Sequence, residues 1–125
     1  MREGLLAKLD RLEAMGGAAE GEALEAVVDE RIRQMEVEGW SPAWDDQERK
    51  RGQLASAAAS YALSVAQKAV IHARTGSLDV RPSAPHPSWP FPMLAWKPAG
   101  MRRMCVKASA LILAELAREV RNGLT

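Results

Sequence analysis

Two neighbouring carboxylates, Asp45 and Asp46, and a basic group at Lys97, Arg102, Arg103 and Lys107 are the side chains of this sequence best suited to chemistry. Adjacent carboxylates bind magnesium or divide acid and base roles between them. They also cap helices and pair with arginines, and that structural role is the reading favoured here. The basic group falls where a helix is expected to begin, and cations in a first turn oppose the helix dipole. Their placement asks for a compensating anion. Asp45 and Asp46, bidentate with Arg102 or Arg103, are the internal candidates. A phosphate-bearing ligand or an acidic partner surface is the external one. Trp44 and Trp89, aromatics in proline-stiffened connections, complete the candidate partner- or ligand-binding set: Trp44, Asp45, Asp46, Trp89, Lys97, Arg102 and Arg103.

Other chemistry is thinly represented. His72 and His86 belong to no spaced ligand motif, and the chain has neither a glycine-rich phosphate loop nor a GxSxG nucleophile turn. Cys105 is the lone cysteine and lies in the most apolar stretch, so an inert core thiol is expected. No metal and no cofactor is expected. A helical magnesium-dependent nucleotide hydrolase needs several carboxylates on facing helices, and the alanine-rich third predicted helix has none.

The elements that would position these residues are helical. Leu5, Leu6, Leu9 and Leu12 mark an amphipathic helix over residues 2–15, ended by Gly16-Gly17. A second helix over 22–37 carries the stripe Leu24, Val27, Val28, Ile32 and Met35, with Gly39 as a left-handed stop. The stretch Trp40–Asp46 reads as a loop. A third helix covers 53–74, rich in Ala and Ser over its first half. A fourth covers 99–121 and is apolar almost all round between Met104 and Ala114, as a central helix would be. Between them, residues 77–98 hold six of the seven prolines together with Trp89, Phe91 and Trp96. Ser88–Pro98 is expected to be ordered and packed on the helices, and Thr75–Pro87 to be the most mobile stretch. All four tryptophans lie in the two connections, which are expected to meet, with Trp40 and Trp96 in the core.

The fold class expected is therefore all-α: a compact bundle of about four helices with a long Pro/Trp-rich loop packed on it. Residues 1–20 form an N-terminal extension and 21–125 a single helical domain. A chain of 125 residues supports one core. A net charge of +1 gives no field for general nucleic-acid binding, and no apolar run reaches bilayer length. A single cysteine and no leader pattern point to a reduced, cytoplasmic setting.

One ordered set of motifs covers about Glu30 to Glu119: Glu30-Arg31-x-Arg33-Gln34, Glu38-Gly39-Trp40-x-Pro42-x-x-Asp45-Asp46, Gly52-x-Leu54-Ala55-x-Ala57-Ala58-x-x-Tyr61-Ala62, Trp89-Pro90-Phe91, Trp96-Lys97-Pro98, Arg102-Arg103 and Val106-Lys107-Ala108-x-Ala110-Leu111-Ile112-Leu113-Ala114-Glu115. It resembles an uncharacterised family of small phage- and prophage-encoded proteins. Trp44 departs from that pattern, standing where a histidine is usual. The resemblance implies a bacterial host cytoplasm rather than a mechanism. The leading expectation is a non-enzymatic accessory protein that binds a host or phage protein, such as a defence-system inhibitor of the anti-CRISPR kind. A small-ligand module for a nucleotide or other phosphorylated molecule comes second, and the magnesium-dependent hydrolase third. Self-association is expected from the apolar first and fourth helices.

Overall fold

The computed structural model describes residues 3–76 and 85–123. Five α-helices form among them: α1 (Leu5–Ala14), α2 (Ala18–Glu36), α3 (Pro42–Glu48), α4 (Gln53–Thr75) and α5 (Met101–Arg121), with one 3-10 turn at Met93–Ala95 and no strand. The expectation of a mobile stretch at Thr75–Pro87 falls largely on residues 77–84, outside the described residues.

The fold centres on α4 against α5. Ala57 and Ala58 on α4 and Ala108, Ala110 and Ala114 on α5 are buried, and their short side chains let the two helices approach closely. Leu54, Tyr61, Met104 and Leu111 fill the remaining space. Trp96 closes this core from the proline-rich segment, with Trp40, Trp89 and Phe91 packed around it. Each large aromatic buried there contributes about 1.5–3 kcal/mol. The two tryptophan-bearing segments do meet. The Arg49 guanidinium lies between them, 4.4 Å from the Phe91 ring centre and 5.3 Å from that of Trp40. By length and composition alone α4 is apolar enough to cross a membrane, so among the described residues one run of that kind is present after all. Its inner face is spent on α5.

Four further expectations are corrected. Trp40–Asp46 is not all loop. Ser41 caps a fifth helix, its Oγ accepting the Trp44 N–H at 3.1 Å, and Pro42 takes the first helical position. Cys105 is exposed rather than core. The inward face of α5 runs through Met104, Ala108, Leu111 and Glu115, and Cys105 sits a third of a turn away from it. For the same reason Ile112 and Leu116 stay exposed, so α5 is central on one side only.

The largest correction concerns α2. Its buried side chains are Glu30, Arg31 and Gln34, whereas Leu24, Val28 and Ile32 of the expected stripe face outward. A buried charge is tolerated only when paired, and this polar face finds its partners in α3 and α5. Among the helices α1 packs only on α2 and buries no residue of its own. Their corner needs Gly17: a Cβ there would lie 2.7 Å from the Leu12 carbonyl oxygen.

Candidate functional site

Asp45 and Asp46 do not meet Arg102 and Arg103. Asp45 is fully buried and accepts from Arg31 Nη2 at 2.7 Å. Burial pushes its carboxyl up, against the pull of Arg31. Asp46 is gripped by the C-terminal end of α5, accepting from Arg121 Nε at 3.0 Å and Nη2 at 2.9 Å. The anion that the first turn of α5 requires comes instead from α2. Arg102 reaches Glu22 at 3.3 Å, in solvent, and Arg103 donates to Glu30. The polar face of α2 is nearer than the α3 acids, and it takes the role expected of them.

What the fold assembles is a cleft. Trp40 from the α2–α3 connection, Tyr61 from α4, and Trp89 and Phe91 from the proline-rich segment wall it, with Leu111 at its base. Its volume is about 90 Å³, room for roughly six to nine heavy atoms. The rings of the walls pack against one another. Tyr61 stacks on Trp96 at 4.8 Å between ring centres, and Trp89 sets its edge against Tyr61 and Phe91, each at 5.5 Å. The Tyr61 hydroxyl accepts the Lys97 N–H at 3.3 Å, tying the proline-rich segment to α4.

The charged residues of the cleft are Glu30, Glu38, Arg33, Lys97 and Lys107. Glu30 accepts from Arg33 Nε at 2.8 Å and Nη2 at 3.0 Å, from Gln34 Nε2 at 3.3 Å, and from Arg103. Burial alone would raise its pKa, but Arg33 and Arg103 outweigh it and hold the carboxyl below the usual range. Glu38 pairs with Arg33 at 3.1 Å and Lys97 at 3.9 Å. Lys107 has no carboxylate partner among the described residues. Its ammonium donates to the Lys97 carbonyl at 2.8 Å and lies 5.7 Å from the Tyr61 ring centre. Burial, with repulsion from Arg103, lowers its pKa.

Of the residues singled out from sequence, Trp89 and Lys97 line the cleft and Arg103 touches it through Glu30. Trp44 projects from α3, exposed, and is absent from the lining, as are Asp45, Asp46 and Arg102. Tyr61, Phe91, Glu30 and Glu38 were missed. The signal for Tyr61 was its isolation, one ring in a run of alanines and serines. Among the described residues no three His, Cys, Asp or Glu side chains gather as a metal site requires.

A second feature lies on the opposite side of α2. Leu5 and Leu9 of α1 and Leu24 and Val28 of α2 line an open groove bordered by Glu13, Glu22 and Glu25, with no basic side chain among its lining residues. Leu5, Leu6 and Ile32 extend the apolar surface, the first two being 66% and 78% exposed. Comparison with protein families, with curated proteins and with solved structures finds no match to this chain.

Proposed function

We propose that this chain is a non-enzymatic accessory protein that acts by binding another protein through the outer face of α1 and α2. The observation that carries the reading is the row Leu24, Val28 and Ile32, three apolar side chains at four-residue spacing turned to solvent beside Leu5 and Leu6. An apolar surface of this kind, rimmed by polar groups, is characteristic of protein-binding sites. Glu13 and Glu25 on its rim, with Glu22 shared with Arg102, favour a partner that presents a basic amphipathic helix. The phage and prophage resemblance of the motifs supports a bacterial cytoplasmic setting and a host or phage protein as that partner, a defence component included.

The hydrolase reading loses its acids, since Asp45 is sealed against Arg31 and Asp46 is forked by Arg121. The nucleotide reading finds a cleft of about 90 Å³, too small to seat a whole nucleotide inside it. The test is affinity capture from a bacterial lysate, run in parallel with the Leu24→Glu/Val28→Glu variant. Recovery of one defined protein by the wild type and its loss with the variant is the expected result. Equal recovery by both, or recovery of nothing, rejects this face as the binding surface. Light scattering on the purified chain identifies the case in which the partner is a second copy.

A further inference from the structure

The aromatic cleft is separate from the α1–α2 face, and its charges select a ligand class. Three cations, Arg33, Lys97 and Lys107, face two carboxylates there. Both carboxylates are already engaged, Glu30 by Arg33 and Arg103 and Glu38 by Arg33 and Lys97. The surplus charge is therefore positive and resides on Lys107, whose ammonium holds one backbone carbonyl and otherwise faces the Tyr61 ring. A quaternary or alkylated ammonium, the usual guest of an aromatic cage, would need a free acid here and meets a lysine instead. The chain's own Arg49 already lies over one face of the Trp40 and Phe91 rings and adds to the positive charge beside the cleft.

We infer that the cleft is a binding site for a small aromatic carboxylate, its ring held among Trp40, Tyr61 and Trp89 and its carboxylate on the Lys107 ammonium. The volume supports the size class: roughly six to nine heavy atoms correspond to a benzyl group with its acid at the mouth. A ligand ring lodged among these side chains would gain the offset or edge-to-face contacts that aromatic pairs prefer. Burial first, and then repulsion from Arg103 outweighing the attraction of Glu30, lower the pKa of Lys107, and a carboxylate bound directly to its ammonium would oppose that shift.

The experiment titrates phenylacetate, phenethylammonium and 2-phenylethanol separately into the intact protein, followed by the indole N–H resonances of Trp40 and Trp89 and the backbone amide of Lys107. Phenylacetate is expected to shift all three and to bind about tenfold more tightly than phenethylammonium, the margin of one charge-assisted hydrogen bond. In Lys107→Gln the phenylacetate affinity falls about tenfold while 2-phenylethanol is unaffected, and Lys107→Arg recovers most of the loss. The dispersion of the amide spectrum reports that each variant is folded. Preference for phenethylammonium, equal binding of all three compounds, or no shift at Trp89 overturns the inference. None of these outcomes bears on capture of a partner by the α1–α2 face, so the two readings fail separately.

Discussion

Arg31 Nη2 donates to Asp45 Oδ2 at 2.7 Å with both side chains out of solvent, 8% and 1% exposed. The pair joins α2 to α3 and also positions the turn between them, because Arg31 Nη1 donates to the Trp40 carbonyl at 3.1 Å. Desolvation raises the Asp45 carboxyl against the pull of Arg31, so the pair specifies geometry more than it adds stability. Replacing one partner alone is a different matter. Arg31→Met leaves a buried carboxylate uncompensated and is expected to lower stability by about 3 kcal/mol. Arg31→Met/Asp45→Asn, which removes both charges, regains most of that. Urea titration of the single and double variants reads the difference. A double variant no better than Arg31→Met alone contradicts the account.

Glu30 sets the acid limb. Its folded pKa lies below the ordinary 4.5, so it contributes stability that is present above the unfolded value and lost as pH falls through the folded one. Asp45, raised from 3.8, has the opposite sign: it contributes below its unfolded value and loses that contribution as pH rises through the folded one. Asp46, held down by Arg121, has the same sign as Glu30. Acidification from pH 5 toward 3 therefore removes the Glu30 and Asp46 contributions while Asp45 opposes the loss, and Glu30→Gln should make the slope less destabilising. Chemical denaturation at a series of pH values measures both. A slope unchanged in Glu30→Gln places the acid sensitivity elsewhere.

The helical class, the all-but-correct limits of α4 and α5 and the meeting of the two tryptophan segments were legible because alanine runs, glycine stops and proline clusters act locally. Ser41-Pro42 was an equally local signal for α3, outweighed by the surrounding Gly39, Trp40 and Trp44. The orientation of α2 was not legible. Its apolar stripe is real, but periodicity marks which side chains share a face and not which face turns inward. Glu30, Arg31 and Gln34 win the inner position because Asp45 and Arg103, distant in sequence, arrive to pair with them. The cleft was hidden for the same reason, its lining coming from five separate segments.

Gly17 is expected to control α1 without controlling the fold. A methyl group there would lie 2.7 Å from the Leu12 oxygen and 2.8 Å from its Cγ, so Gly17→Ala must open the α1–α2 corner. Since α1 touches no other helix, the core has little to lose. Hydrogen exchange should show protection lost across Leu5–Ala14 and retained in α4 and α5, with only a small change in melting temperature. Loss of protection in α4 as well would mean that α1 is integral to the domain.

Tyr61 couples the core to the cleft through two separable features. Its ring stacks on Trp96 at 4.8 Å and meets the Trp89 edge at 5.5 Å, and its hydroxyl accepts the Lys97 N–H at 3.3 Å. Tyr61→Phe keeps the ring and leaves one backbone donor without its partner, an expected loss of about 1 kcal/mol. Tyr61→Ala removes a buried ring and should lose about 3–5 kcal/mol. The near-ultraviolet circular dichroism of the tryptophans separates the two: it persists in Tyr61→Phe, where Trp89 and Trp96 still have a ring to pack on, and collapses in Tyr61→Ala. Equal stability of the two variants would mean that the hydroxyl tether, not the stacked ring, holds the proline-rich segment on α4.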